Sequence, residues 1–227
     1  MRNVKFAIGE HYHLFSRGDQ KQTIFFDESD YVRFMFLILY FQSSLSPREH
    51  GKKISYFKKH GAFNVYKNTT KLIAEQRKIN VVNFCIMPNH FHVTVEEVID
   101  GGISKYMHRV LTSYAKYFCA KYKRTGHVFE STFKAVRVTT NTQLLHLSSY
   151  IHRNPREFKE WRGKEHAYPW SSLMDYTGEN RWGDLLKKEI VSGQFDSAEG
   201  YKNFVDTSTA KKFEEILPFD HLFLDEA

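Results

Sequence analysis

The stretch INVVNFCIMPNHFHVTVEE, from Ile79 to Glu97, decides how the chain folds. Its first half is an apolar run, its second half alternates, and Pro88-Asn89 between them is a tight-turn pair. That pattern predicts a buried strand over Ile79 to Met87, a two-residue turn, and a returning strand over His90 to Glu97. Successive side chains of a strand leave opposite faces, so Phe91, Val93 and Val95 share one face and His90 and His92 the other. Two imidazoles leaving one face are either half of a divalent-metal site or strand histidines bonded to polar neighbours.

Working outward, Glu10 to Arg17 (EHYHLFSR) alternates and reads as a strand ended by Gly18-Asp19. Asp27 to Asp30 offers an N-cap and first-turn acids, and Tyr31 to Gln42 follows as a strongly apolar helix. Ser43 to about Thr70 is rich in Ser, Lys, Gly and His and reads as an insertion or long excursion, with a short helix over Lys71 to Lys78. Downstream, the pattern predicts a long helix over Ile103 to Lys123, a strand over Phe133 to Val138, and a helix over Thr140 to Asn154 stopped by Pro155. The order β-α-(insert)-β-β-α-β-α is α+β. Its first six elements form a ferredoxin-like (RRM-like) antiparallel sheet with helices on one face, followed by an extra helix. After Glu157, loops and short helices, one near Ser197 to Asp206, are expected to wrap the core.

The 227 residues are 41% hydrophobic and 26% charged, as in a globular protein rather than a disordered one. The longest apolar stretch, Phe34 to Phe41, falls far short of the roughly 20 residues of a spanning helix. The N-terminus reads as no secretory signal, and Cys85 and Cys119, lacking any CxxC spacing, read as free thiols of an intracellular protein. The net charge is +7. Gly101 to Arg137 holds eight basic residues against one acid, Glu130, which accounts for the whole excess. A concentrated positive stripe can neutralise phosphates and release counterions, which points to nucleic acid. Tyr106, Tyr114, Tyr117, Phe118, Tyr122 and Phe129 are interleaved with it and either stack on bases or face the core. By contrast Phe213 to Ala227 has five acids and no Lys or Arg, and its apolar residues are expected to dock it on the body, across the basic groove or elsewhere.

On the last helix His146, Tyr150 and Asn154 are spaced i, i+4, i+8 and share a face. A tyrosine there is a nucleophile or an anchor holding the helix to the sheet. Asn154 is a neutral oxygen ligand or a cap before Pro155. His146, one turn before Tyr150, is a surface histidine or a group that contacts phosphate or accepts the phenolic proton. His152 points to another face of the helix.

Pro88-Asn-His-Phe-His-Val resembles the HUH motif of single-tyrosine transposases, the IS200-like and REP-associated tyrosine transposases in particular. Tyr12-His-Leu-Phe-Ser-Arg-Gly, Gly126-His-Val-Phe-Glu-Ser-Thr-Phe-Lys, Tyr150-Ile-His-Arg-Asn-Pro and Tyr168-Pro-Trp-Ser-Ser agree with that family in order. The resemblance runs roughly from Glu10 to Tyr176 and breaks at about 43–70. It implies a transposase domain over 1–180 and an extension over 181–227, acidic from 213. It also implies a prokaryotic-type cytoplasmic protein associated with the nucleoid, acting on hairpin-forming single-stranded DNA as monomer or homodimer, with no membrane partner. His90, His92 and Asn154 would then hold Mg²⁺ or Mn²⁺, while Tyr150 attacks the scissile phosphate to give a 5′-phosphotyrosine and a free 3′-OH. Asn154 departs from relatives that place Gln or an acid there. The expected DNA contacts are Arg17, Lys105, Arg109, Lys121, Lys123, Arg124, Lys134 and Arg137. The competing reading is a non-catalytic module of the same fold that binds structured DNA or RNA. A replication initiator or relaxase fits less well, since those are usually longer and often carry a second catalytic tyrosine.

Overall fold

A computed structural model describes residues 4–45 and 48–208. Four strands, β1 (His11–Arg17), β2 (Ile79–Met87), β3 (His90–Glu97) and β4 (Lys134–Val138), form one sheet in the order β2-β3-β1-β4 with every pairing antiparallel. This is the ferredoxin-like arrangement expected from the element order. One register row across the sheet reads Cys85, His92, Phe15, Lys134, and the next reads Met87, His90, Arg17. A bulge at Val82, between Val81 and Asn83, lets β2 keep apolar residues toward both sides.

Helices α1 (Glu28–Tyr40) and α4 (Gly102–Tyr122) cover one face of the sheet. Asp27 caps α1 through a reciprocal capping box with Asp30, as its acid-rich start suggests. Phe34 of α1 packs on Phe91 of β3 and Tyr114 of α4, with ring centroids at 4.8 and 5.1 Å. The α4 start is held by Glu97, whose carboxylate accepts from Gly102 N at 3.0 Å and Ile103 N at 2.6 Å. Position 102 takes no side chain, because a Cβ there would lie 2.4 Å from the Lys78 carbonyl oxygen.

The segment read as an insertion or long excursion, about 43–70, contains helix among its described residues. α2 (His50–His60) packs along α1, and α3 (Lys67–Glu75) leads into β2. The physical reason lies in α1, which is buried without interruption from Phe34 to Phe41 and so has more than one apolar side to cover. Ile54, Phe57 and Phe63 provide the second cover, with Phe63 5.1 Å from Phe36 and 5.7 Å from Trp182. Each such buried side chain contributes about 1.5–3 kcal/mol.

Helix α5 (Asn141–Arg153) crosses the opposite face of the sheet, capped by Thr140 and Gln143. Both faces of β3 are therefore buried, and the side of the sheet carrying His90 and His92 is not open. After α5, residues 170–172 run beside the outer edge of β2, with Ile86 N donating to Trp170 O and Ser172 N to Phe84 O, both at 3.0 Å. This covers an edge that would otherwise present unpaired amides. Short helices α6 (Leu173–Thr177) and α7 (Glu189–Ser192) follow, then α8 (Ala198–Thr207), which packs on α5 and α6. Trp182, Leu185, Val191, Tyr201 and Val205 join the same buried cluster as the sheet. Cys85 and Cys119 are free thiols. No helix among the described residues is long and apolar enough to cross a membrane. The acidic stretch 213–227 lies outside the described residues.

Candidate active site

The cross-strand register puts His13, His92 and His90 on the face of the sheet that α5 covers. His13 pairs with Thr94, and Phe15 with His92, so His13 and His92 are diagonal neighbours on adjacent strands. His13 Nε2 lies 2.8 Å from His92 Nδ1, and the two rings stack with centroids 5.0 Å apart. Over them, α5 supplies Tyr150, whose ring meets that of His92 edge-on at 5.5 Å, and Asn154 at its C-terminal cap. Asn154 Nδ2 donates to the Tyr150 carbonyl at 3.0 Å, which turns Oδ1 toward His90 Nε2 at 3.3 Å. His90 Nδ1 meets Asn89 Oδ1 at 2.7 Å, and the Asn89 amide is itself oriented by donating to Lys21 O.

All of these groups are enclosed. His13 and His92 are fully buried, and Tyr150, Asn154 and His90 are only 3%, 5% and 6% exposed. Burial first, then the neighbouring His90 and His13, holds His92 well below the usual histidine range, so it is neutral and able to offer a lone pair. Among the described residues no group of three or more His, Cys, Asp or Glu is arranged to hold a metal ion. The donors here are two imidazoles and an amide oxygen, and they do fit a cation. With the His90 proton on Nδ1, facing the Asn89 oxygen, Nε2 and Asn154 Oδ1 are two lone-pair atoms turned toward each other. His92 Nε2 is in addition a buried nitrogen with no hydrogen-bond partner among the described residues. Such a neutral set leaves most of an ion's charge to be balanced by water and phosphate oxygens.

Other expected residues have different surroundings. The His146 ring packs toward Phe204 of α8 at 5.8 Å, and burial lowers its pKa. Lys121 is bound within the protein, 2.7 Å from both Asp27 and the buried Asp30, and the Tyr117 and Tyr122 hydroxyls donate to the same Asp30 carboxylate. Arg109 donates to the Phe41 and Ser43 carbonyls past the end of α1 and lies over the Phe41 ring. The basic residues of 101–137 thus do not form one uniform face, since Arg109 and Lys121 tie α4 to α1. Tyr106, Tyr114 and Phe118 are buried, in keeping with core packing rather than base stacking. Arg124 donates to Gln22, and Arg137 pairs with Glu10 at 2.7 Å. Lys105, Lys123 and Lys134 are exposed. Arg17, paired with Glu130 at 3.0 Å, stands opposite His90 in the sheet register, and Lys134 stands in the row of His92.

Two features were missed in the sequence. His13 falls on the site face by strand alternation, a signal readable once β1 is known to pair with β3. His152, fully buried, lies between Tyr201 of α8 (2.6 Å) and Ser172 (2.9 Å) and so clamps α5 on both sides. Ser172 Oγ also accepts from Phe84 N at 2.8 Å, which gives the Trp170-Ser-Ser signature a structural role.

Residues 51–154, a little under half of the chain, match the family model described as "Transposase IS200 like". That segment is similar to the IS200-like transposases. It contains His90, His92, Tyr150 and Asn154, whereas His13 and Arg17 lie before it. Among solved structures, one titled "Structure of the REP associates tyrosine transposase bound to a REP hairpin" is similar in fold, with a TM-score of 0.51 and 11% identity over 84% of this chain and 93% of that one. No curated protein matches the chain. The matched segment carries β2, β3, α4, β4 and α5, which together hold both the histidine pair and the tyrosine helix.

Proposed function

We propose that the protein is a DNA-nicking and rejoining transposase acting on single-stranded, hairpin-forming DNA in the cytoplasm, with Tyr150 as nucleophile. The observation that carries this reading is the convergence of Tyr150, His92, His90 and Asn154 in one enclosed cluster, from two elements 60 residues apart in the chain. His90, His92 and Asn154 would hold Mg²⁺ or Mn²⁺, which when bound polarises a phosphate oxygen and stabilises charge developing at phosphorus. Tyr150 Oη forms a bond to phosphorus, the P–O3′ bond breaks, and the leaving 3′ oxygen takes a proton from water to become a hydroxyl. The phenolic proton passes to a nearby base, His146 being one turn away on the helix. Because the phosphotyrosine conserves the phosphodiester energy, a second 3′-OH can attack it and rejoin strands without ATP. Arg17 and Lys134, beside the histidine rows, would meet the flanking phosphates. Residues 1–180 would make up the transposase unit, with the described part of the extension bracing α5 through Tyr201.

A module that binds structured DNA or RNA without cutting it is favoured by one observation, the 3% exposure of Tyr150. Incubation of the full chain with end-labelled hairpin DNA and Mn²⁺, resolved on a denaturing gel, separates the two. A covalent protein–DNA band lost in His90→Ala and His92→Ala supports the transposase. Tight binding with no such band on any hairpin supports the module.

A further inference from the structure

We propose that the outer face of α2 binds the unpaired DNA strand that flanks the hairpin, as a contact surface separate from the histidine–tyrosine cluster. This rests on the reading of single-stranded, hairpin-forming DNA as the substrate, and it holds whether or not that DNA is cut. From Arg48 to Lys71 the chain has seven basic residues and a single acid, Glu49. Acids elsewhere offset this excess, so the total charge of the chain conceals it. Some of these cations are engaged within the protein, since Lys53 donates to Asn64 O at 3.0 Å and Lys58 to Ser29 Oγ at 3.1 Å. Others face water: Arg48, Lys52, Lys59, Lys67 and Lys71 are exposed. Lys52 pairs with Glu49, but both side chains are well exposed, and such a contact is weak in water and yields to a phosphate.

Lys52, Tyr56 and Lys59 are spaced i, i+4, i+7 along α2 and line one shallow hollow with Gly51, Ser55 and His60. In that hollow the Tyr56 ring stacks on His60, with centroids 4.0 Å apart and planes 20° apart, although it is 38% exposed. Tyr66, two residues past the Asn64 carbonyl that Lys53 holds, is 82% exposed. Exposed rings set among cations suit a single strand, whose phosphates meet the lysines and whose bases stack. A lipid surface fits less well, because the apolar side of α2, with Ile54 and Phe57, is already buried in the core and cannot enter a bilayer. The helix also points the right way. His50 lies against Phe36 and Phe41 toward the end of α1, whereas Lys58 reaches Ser29 and Glu28 at its start. Just before that start, the N–H groups of Ile24 and Phe25 donate to the carbonyl of Pro88, two residues ahead of His90. The C-terminal end of α2, with Lys59 and His60, is therefore at the end of the molecule where β3 and its histidines begin.

The test is fluorescence anisotropy of the full chain, over a range of salt, with a hairpin carrying a single-stranded flank and with the same hairpin cut blunt. Replacing Lys52 and Lys59 together by Gln should flatten the slope of log K against log salt on the flanked hairpin, by up to about 0.7 per lost contact, and leave the blunt one unchanged. Tyr56→Ala should weaken binding to the flanked hairpin about fivefold or more without altering the slope. Wild-type slope and affinity in both variants overturn the proposal. An equal loss on the blunt hairpin assigns the face to the duplex stem and overturns it as well. So does sedimentation with phosphatidylserine vesicles that the lysine variant loses while its DNA binding is unchanged. If the flanked hairpin behaves as stated but wild type forms no covalent adduct, the α2 surface stands and the transposase reading falls.

Discussion

His90 Nε2 and Asn154 Oδ1 face each other across 3.3 Å, brought together from β3 and the end of α5. The Asn154 amide cannot relax by flipping, because its NH₂ is engaged by the Tyr150 carbonyl at 3.0 Å. A neutral His90 can offer Nε2 to a cation, and Asn154 Oδ1 would then be a second ligand atom beside it. Asn154→Ala should therefore lower Mn²⁺ affinity by about tenfold, while Asn154→Asp, adding a charge at the same reach, should raise it. Calorimetric titration reads both, and unchanged affinity in the two variants would remove Asn154 from the donor set.

Lys121 and Arg17 are both basic and were both expected on DNA, yet they should behave differently. Lys121 neutralises the buried Asp30, so Lys121→Met should cost about 3 kcal/mol in urea unfolding, in the range for a broken buried pair, with little change in the salt dependence of DNA binding. Replacing Arg17 and Lys134 together should instead flatten the slope of log K against log salt by up to about 0.7 per lost single-strand contact. A steep slope in the double variant would move the phosphate track away from the histidine rows.

Acid should weaken the junction of α1 and α4. Burial pushes the Asp30 carboxyl up, but bonds from Lys121, Tyr122, Tyr117 and the Phe26 N–H outweigh it and leave the group below its ordinary value of 3.8. A carboxyl with a depressed folded pKa contributes stability above the unfolded value and loses it as pH falls through the lower folded one. The stability gap between wild type and Asp30→Asn should thus be widest above about pH 4 and close below it. Urea unfolding from pH 2 to 7 follows this, and a gap independent of pH would exclude the ionised carboxylate as the hub.

Ser172 should matter for stability although it lies on a loop. Its hydroxyl accepts from the Phe84 N–H at 2.8 Å and meets His152 Nε2 at 2.9 Å, so Ser172→Ala strands two buried groups. A loss of about 1–3 kcal/mol is expected in the urea midpoint, and a loss under about 0.5 kcal/mol, typical of an uncoupled surface change, would mean that water replaces the hydroxyl.

Much of this architecture is legible in the sequence because its signals are local. The alternation of HFHVTVEE, the Pro88-Asn89 turn, the Asp27 and Thr140 caps and the stop at Pro155 each determine an element near the expected bounds. The spacing of Tyr150 and Asn154 likewise places both at one end of α5. What the sequence does not disclose depends on tertiary neighbours. Polar composition made 43–70 look like an excursion, and only the all-round apolar surface of α1 explains why Ile54 and Phe57 fold over it. Charge counting marked Lys121 and Arg109 as ligands for phosphate, but their partners, Asp30 and the carbonyls of Phe41 and Ser43 past α1, lie about 70 to 90 residues away in the chain. His13 needed the sheet order before its alternation had any meaning.

The central claim is that Tyr150 forms the covalent link to DNA. The direct measurement is proteolysis of the protein–DNA adduct followed by mass-spectrometric mapping of the nucleotide-bearing peptide, in wild type and in Tyr150→Phe. That substitution removes one oxygen and keeps the ring that packs on His92, so folding and DNA binding should persist. The account predicts a nucleotide on the Tyr150 peptide of wild type and no adduct in Tyr150→Phe. A nucleotide mapped to any other tyrosine, or an adduct that survives Tyr150→Phe, would contradict it.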